Sequence, residues 1–128
     1  MILDSSVIVA LVLREPGHEA ILDKLAEASA LGIGAPTLAE SAIVLAAKLR
    51  RDPRALLARL LQEFQIVTVP FGDAHWREAA DAYLRFGKGR HAAALNFGDC
   101  MAYATAKLAA RPLLASGTDF ARTDLALA

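Results

Sequence analysis

Short aliphatic runs alternate with longer amphipathic segments along the whole chain. The amphipathic segments have apolar residues at helical spacing and cover residues 6–13, 18–30, 37–50, 53–64, 73–87 and 98–110. The aliphatic runs have the length and composition of buried strands and are Ile2–Leu3, LGIGAP at 31–36, IVTV at 66–69 and PLLAS at 112–116. This order predicts βαβ crossovers, and therefore an α/β fold whose central sheet is mainly parallel and packed between helices.

The chain has the length of one domain and more apolar residues than such a domain can bury. Its 128 residues are expected to form a single domain over 1–128. Because 55% of them are hydrophobic, we expect a homodimer or a dedicated protein partner to cover the excess. The helix after Thr37 is apolar on most sides and is expected to be buried, either within the chain or partly beneath a partner. Trp76, Tyr83 and Phe86 share one helical stripe and are expected in the core or at a dimer contact.

Charges balance over the whole chain but not locally. Lys and Arg together number 14, as do Asp and Glu, so no overall field points to nucleic acid or a membrane. Five basic residues between 48 and 59 are interpreted as a solvated surface. A second basic group, Lys88, Arg90 and His91 in the Gly-interrupted segment RFGKGRH, is expected either to contact phosphates or to form an ordinary solvated loop.

The single cysteine and the first apolar run bear on the compartment. One cysteine, Cys100, excludes a disulfide framework and a cysteine-type zinc site, and it is expected to be a small buried residue. The run from Val7 to Leu13 is too short to span a bilayer, and Asp4 rather than a basic segment precedes it. We therefore expect a cytoplasmic protein that does not bind membranes.

Three carboxylates are predicted where strands end and helices begin. Asp4 ends the first strand, Glu40 lies in the first turn after GIGAP, and Asp99 opens the helix GDCMAYATAK. Since ligands of an open parallel sheet bind at the carboxyl ends of its strands, these acids are expected at one edge. Each also has a structural explanation. Asp4 can cap the helix near Ser6, Thr37 and Glu40 can form a capping box, and Asp99 can complement its own helix dipole.

A divalent cation would explain the three acids together. Two carboxylates about 4 Å apart repel by about 4 kcal/mol at an effective dielectric near 20. No Lys or Arg adjoins Asp4, Glu40 or Asp99 in the sequence to offset this repulsion. A hard cation such as Mg²⁺ suits a site made only of oxygen ligands, and it commonly works on phosphate groups. The residues therefore predict a carboxylate metal site and suggest phosphoryl chemistry.

Four segments carry a resemblance to a known family: ILDSSVIVALVLREP, APTLAESAIVL, YLRFGKGRHAAALNFGDCMAYATAK and PLLASGTDFARTDL. In sequence and in order they resemble the PIN-domain ribonucleases, and more closely the VapC toxins of bacterial type II toxin–antitoxin pairs. The resemblance implies a PIN-like three-layer sandwich with an acidic pocket for Mg²⁺ or Mn²⁺. By motif, Asp4, Glu40 and Asp99 match the family's metal-binding acids, and Ser6 matches the hydroxyl that supports the first Asp.

The fourth acid of the family is the point where this sequence departs from the pattern. Many relatives have Gly-acid-Asp-Phe before the final Phe, whereas this chain has Gly117, Thr118, Asp119 and Phe120. Asp119 is the preferred match, with Asp124 as the alternative. If neither reaches the metal, a second cation site would be weak or absent.

The resemblance also implies an activity and its partners. It implies an endoribonuclease toxin that cleaves phosphodiester bonds in tRNA, rRNA or mRNA and leaves 5′-phosphate and 3′-hydroxyl ends. Glu40 or Asp119 would accept the proton of the attacking water, and Lys88, Arg90 and His91 would hold the RNA. It further implies a homodimer and a VapB-type antitoxin, whose C-terminal segment lies in a hydrophobic groove and sends an Arg into the acidic pocket.

Three other protein classes fit the sequence less well than a PIN-domain ribonuclease, and one alternative stays open. A haloacid-dehalogenase phosphatase needs a second acid two residues after the first, where this chain has Ser6. A receiver domain needs paired acids after its first strand, and a helix-turn-helix factor needs a basic face; neither is evident. The alternative that stays open is a catalytically inactive PIN-like scaffold that binds a protein partner.

Overall fold

Four short strands and six helices alternate along the chain. The computed structural model describes residues 1–128, and its elements are β1 (Ile2–Leu3), α1 (Ser5–Leu13), α2 (His18–Glu27), β2 (Leu31–Gly34), α3 (Ala35–Leu49), α4 (Arg54–Glu63), β3 (Ile66–Val69), α5 (Asp73–Phe86), α6 (Phe97–Ala109) and β4 (Leu113–Leu114). The strands form one sheet in the order β3-β2-β1-β4, and every adjacent pair is parallel. The predicted α/β class with a parallel central sheet is confirmed.

The hydrophobic core consists of two clusters, and strands β1 and β4 contribute to both. Leu3 of β1 and Leu114 of β4 belong to the cluster formed with α1, α2, α3 and α4, while Ile2 and Leu113 belong to the cluster formed with α5 and α6. Successive residues of a strand point to opposite faces of a sheet, so the two clusters lie on its two faces. This arrangement is the three-layer sandwich expected from the sequence.

The carboxyl ends of the parallel strands share one edge of the sheet. The backbone N–H of Asp4 donates to the carbonyl of Leu114 at 2.9 Å, which places Asp4 at the end of β1 and level with the end of β4. The N-terminal end of α3 follows β2 directly at Ala35. Residues 115–119 leave β4 at the same edge. The topology therefore brings together segments that are far apart in the sequence.

Three helices, α1, α3 and α6, begin one or two residues earlier than the sequence pattern predicts. Helix α3 starts at Ala35, with Pro36 in its first turn, so Thr37 lies inside the helix and the predicted Thr37–Glu40 capping box is wrong. Proline is favoured in the first turn because its missing N–H is not needed there. Helix α5 starts at Asp73 with Gly72, rather than Asp73, at the N-cap. Helix α6 starts at Phe97, with Asn96 at its N-cap.

Several large apolar side chains of α3 and α5 are exposed in the single chain. Phe86 is buried in the core as expected, but Trp76 is 51% exposed and Tyr83 is 44% exposed, so for these two only the alternative of a dimer contact stays open. Ile43 of α3 is 71% exposed, so the rest of the chain does not cover this helix on all sides. These residues belong to a surface across α3, α5 and α6, here called the apolar face, formed by Ile43, Trp76, Tyr83, Leu84, Phe97 and Met101.

The C-terminal tail is attached to α5 and α6 by one carboxylate. Asp124 accepts hydrogen bonds from the Tyr103 hydroxyl at 2.6 Å, from Lys107 Nζ at 2.9 Å and from Arg85 at 3.2 Å. Although partial burial acts in the opposite direction, these donors hold the pKa of Asp124 well below its ordinary value. The tail also bridges to β4, as Leu113 pairs with Leu127.

No helix in the structure combines the length and the apolarity needed to cross a membrane.

Candidate active site

Asp4 is a buried carboxylate with a fixed orientation. It is 5% exposed and caps α1, where Oδ2 accepts hydrogen bonds from the Ser6 backbone N–H at 3.2 Å and from Ser6 Oγ at 2.7 Å. Ser6 Oγ in turn accepts from the Ser116 N–H at 3.0 Å, which ties the segment after β1 to the segment after β4. Burial raises the pKa of Asp4, the Ser6 bonds oppose the rise, and the Asp119 charge adds to it.

Asp99 is held by a reciprocal pair of hydrogen bonds at the start of α6. Its N–H donates to Asn96 Oδ1 at 2.9 Å, and its Oδ2 accepts from the Asn96 N–H at 3.1 Å. Desolvation by burial, opposed by the Asn96 hydrogen bond and reinforced by the charges of Asp4, Asp119 and Glu40, raises the pKa of Asp99 to about 6. Contacts in the structure agree with this: the Glu40 carboxylate lies against Gly98, the neighbour of Asp99, and Ser6, which holds Asp4, also bonds to Ser116, close to Asp119 in the chain.

Glu40 reaches the same place from α3 and rests against the backbone of α6. It is half-buried, and its carboxylate lies so close to Gly98 that a Cβ added there would be 2.8 Å from Glu40 Cδ. Gly98 has no left-handed backbone conformation that would explain a glycine. The missing side chain of Gly98 is therefore the space that the Glu40 carboxylate occupies.

Asp119 and Asp124, the two candidates for the fourth acid, lie in different surroundings. The charge of Asp119 acts on both Asp4 and Asp99, whereas Asp124 is engaged by Tyr103 and the neighbouring basic residues. The alternative assignment of Asp124 to the acidic cluster is therefore wrong. We call Asp4, Glu40, Asp99 and Asp119 the acidic site.

The acidic site is open in its present geometry. No three His, Cys, Asp or Glu side chains are close enough together to bind one metal ion as they stand. The residues are gathered at the sheet edge, with two carboxylates fixed by hydrogen bonds, Asp4 by Ser6 and Asp99 by Asn96. The carboxylates of Glu40 and Asp119 accept no hydrogen bond in the structure.

The three basic candidates lie on the exposed loop between α5 and α6, and two of them help to shape it. Arg90 Nε donates to the Leu84 carbonyl at 3.3 Å. The His91 ring packs edge-on against Phe86 at 5.2 Å, and its Nδ1 accepts from the Ala93 N–H. Lys88 makes no side-chain hydrogen bond or ion pair. The loop leads into Asn96, and so into the acidic site.

Gly98 and Asn96 are not among the site residues predicted from the sequence. For Asn96 a signal was present, since an Asn three residues before an Asp is the pattern of an N-cap with a reciprocal partner. For Gly98 no local signal existed, because its reason is a side chain 58 positions away, at Glu40.

Fold and site together define a class, namely α/β proteins with carboxylates gathered at the carboxyl edge of a parallel sheet. A family model for the PIN domain matches residues 1–125, and the chain belongs to this family. Ribonuclease VapC36 of Mycobacterium tuberculosis is 48% identical over 126 residues, which cover 98% of this chain and 91% of the relative. Ribonuclease VapC of Mycolicibacterium smegmatis is 36% identical over 127 residues, 98% of each chain.

Two solved structures of toxins share the fold. The crystal structure of VapC20 of Mycobacterium tuberculosis, described as a sarcin-ricin loop cleaving toxin, has a TM-score of 0.75 at 17% identity and covers 99% of this chain and 97% of its own. VapBC2 of Rickettsia felis, bound to a DNA fragment from its promoter, has a TM-score of 0.78 at 16% identity, with coverages of 99% and 96%.

The raised pKa of Asp99 predicts a pH-dependent stability. Since the folded pKa of about 6 exceeds the unfolded value, the folded state binds the proton more tightly, and stability is lost as pH rises from about 4 to about 6. Without divalent cations, the free energy of unfolding should fall by about 1–2 kcal/mol less in Asp99→Asn than in the unmodified protein over this pH range. This magnitude takes into account that Asp99 is partly exposed to solvent. Urea unfolding with EDTA at pH 4.5 and pH 7 measures it.

The matched control is Asp23→Asn, which removes an exposed carboxylate on α2. This variant should lose as much stability between the two pH values as the unmodified protein does. An Asp99→Asn variant that behaves like the control would contradict the raised pKa of Asp99.

Proposed function

We propose that this chain is a metal-dependent endoribonuclease toxin of the VapC type, which hydrolyses RNA phosphodiester bonds. Its similarity to VapC ribonucleases over nearly the full chain supports the reaction class. The observation that carries the proposal is the convergence of Asp4, Glu40, Asp99 and Asp119 at one sheet edge, reflected in the raised pKa of Asp99. A scaffold that only binds partners has no need for this unfavourable arrangement of like charges.

The donor set fits a hard divalent cation, Mg²⁺ or Mn²⁺. All four candidate ligands are carboxylates, and no His or Cys donor takes part, which is the chemistry such cations prefer. Gly98 leaves space for the Glu40 carboxylate beside the first turn of α6, opposite the fixed Asp99. When bound, the cation would lower the pKa of a water molecule and offset charge on the phosphate.

The residues of the chain have separable roles in this proposal. Asp4 and Asp99 would form the rigid part of the site, because Ser6 and Asn96 fix their carboxylates. Glu40 and Asp119 lack such donors and are better suited to accept a proton from the attacking water. Lys88, Arg90 and His91 would hold the RNA backbone, since an edge of four carboxylates repels phosphate and needs nearby cations.

We also propose a VapB-type antitoxin as partner, in the cytoplasm where the RNA is. The similar structures include a toxin–antitoxin complex from Klebsiella pneumoniae, with a TM-score of 0.72. A groove of about 380 Å³ lies between α3 and α4 and is lined mainly by apolar residues such as Leu38, Leu57 and Leu61. It starts at Ala35, at the edge of the sheet where the strands end. An apolar antitoxin segment in this groove could place an Arg against the acidic site, where the charges attract it.

The apolar face is proposed as the homodimer contact. It surrounds a depression of about 700 Å³ whose lining is entirely hydrophobic, and it includes Phe97 at 79% exposure. Exposed apolar surface of this extent is unusual on a monomer. A second copy is the preferred occupant because the face is continuous from α5 through α6 to Ile43 of α3.

Purified protein incubated with total RNA and Mg²⁺ tests the activity. We expect discrete fragments with 5′-phosphate ends that are absent with EDTA, and a rate at least about a hundredfold lower for Asp4→Asn and Asp99→Asn. Asp23→Asn should cut like the unmodified protein, since this carboxylate lies on the exposed side of α2.

Two outcomes would contradict the proposal in different ways. Equal cleavage by the Asp4→Asn and Asp99→Asn variants would mean that the acidic site is not the catalytic centre. Absence of cleavage in every sample, with folded protein and intact antitoxin binding, would favour the inactive scaffold.

Substitution of Gly98 tests whether Glu40 belongs to the cation site. Ala is preferred to Gly in a helix by about 1 kcal/mol, and the obstructing group is the end of a flexible side chain, so Gly98→Ala should keep or raise the melting temperature. It should displace the Glu40 carboxylate and weaken Mn²⁺ binding by about tenfold or more, as measured by isothermal titration calorimetry.

The shorter Glu40→Asp side chain, added to Gly98→Ala, should recover part of the lost affinity because it relieves the overlap. Gly72→Ala is the control, since a Cβ there meets nothing within 4 Å. Unchanged Mn²⁺ affinity in Gly98→Ala would place Glu40 outside the cation site.

The dimer proposal predicts that one charge on the apolar face dissociates the protein. Trp76→Glu or Ile43→Glu should give a monomer of 13.6 kDa by light scattering, because burying an unpaired carboxylate is strongly unfavourable. Val67→Glu places the same charge on the exposed edge strand β3, at 65% exposure, and should leave the dimer intact. A monomeric unmodified protein would refute this contact.

A further inference from the structure

A second cavity adjoins the acidic site on the side of Asp119. Its volume is about 440 Å³, and it lies between the second half of the loop before α6, Ala92–Ala94, and the segment after β4, Thr118–Arg122. Asp119 belongs both to its lining and to the acidic site. Whatever occupies this cavity therefore lies next to the reacting phosphate. The size falls within the range of pockets that bind small ligands.

The lining of the cavity combines a small apolar wall with polar groups. Three successive alanines supply only methyl groups and backbone on one side, and Thr118 supplies a hydroxyl on the other. Arg122 supplies a guanidinium that takes part in none of the ion pairs, in contrast to Arg54, Arg77 and Arg85. A permanent cation beside a cavity, without a carboxylate partner, is suited to bind a phosphate.

We propose that this cavity holds the ribonucleotide that adjoins the scissile phosphate, with its outer phosphate on Arg122. The proposal rests on the ribonuclease activity proposed above and adds a binding site to it. Because Asp119 borders both the cavity and the acidic site, a nucleotide in the cavity would be next to a phosphodiester held at the acidic site. A splayed ribonucleotide meets each part of the lining: the base packs on the alanine wall, and the ribose hydroxyls face Thr118.

The lining also predicts a limited selectivity for the base. It contains no aromatic side chain, so the base would be held by shape and not by stacking between rings. The cavity should then accept or exclude different bases mainly according to their size. Bulky side chains introduced at Ala92, which is exposed, should exclude the nucleotide without disturbing the core.

Two arginine variants distinguish RNA binding in the cavity from a general effect of positive charge on RNA affinity. Arg122→Ala and Arg111→Ala each remove one exposed cation that has no ion pair, but Arg111 precedes Pro112 at the opposite, amino-terminal edge of the sheet. Affinity for a short RNA oligonucleotide is measured by fluorescence anisotropy in the Asp99→Asn background, which prevents cleavage. Arg122→Ala should bind about tenfold more weakly, and Arg111→Ala should stay within about twofold.

Turnover by the active protein provides a second readout. Arg122→Ala and Ala92→Trp should raise KM by about tenfold with a smaller change in kcat, and Arg122→Lys should recover part of the loss because a point charge still binds phosphate. Melting temperatures should match that of the unmodified protein, since both positions are exposed.

The outcomes distinguish this inference from the proposed function. If the unmodified protein cuts RNA and Arg122→Ala behaves like Arg111→Ala in both assays, the cavity is not a nucleotide site, although the nuclease stands. If Arg122→Ala weakens only antitoxin binding, the cavity belongs to the antitoxin and the inference is overturned. If the unmodified protein cuts no RNA, both proposals fall together.

Discussion

The burial of the Asp4 carboxylate at the carboxyl end of β1 is the constraint on which the geometry of the acidic site depends. A buried carboxylate is unfavourable unless donors satisfy it, and here Ser6 supplies two while the first turn of α1 supplies its dipole. Ser6 Oγ also accepts from Ser116. One solvation requirement therefore fixes α1 and the two segments that follow β1 and β4.

The remaining acids are brought to Asp4 by topology and not by mutual attraction. All four strands are parallel, so every crossover returns its chain to the same edge, and α3 and α6 begin there. The pKa of Asp99 is raised mainly by burial, and repulsion by the carboxylates that arrive beside it adds to the rise. The stability of the sandwich holds them in place, through a core that lies on both faces of the sheet. The repulsion among these carboxylates therefore lowers the free energy of unfolding at the site where function is proposed.

The sequence predicts those features that depend on local periodicity and fails where distant segments meet. The strand IVTV and the position of Asp4 after a strand are visible because each depends on a few neighbouring residues. Exposure of Trp76 is not visible, since a helical stripe looks the same whether the sheet or a partner covers it. Gly98 illustrates the same limit, because its contact with Glu40 exists only after α3 and α6 have packed.

The first turn of α6 connects the acidic site to the apolar face. Gly98 contacts Glu40, and its neighbour Phe97 is a large exposed residue of the apolar face. A depression of about 360 Å³ is lined by Glu40 and Gly98 together with Ile43 and Phe97, so the two surfaces share a border. A partner that packs on Phe97 must therefore change the solvation of Glu40 as well. Assembly through this face and the electrostatics of the acidic site are consequently not independent.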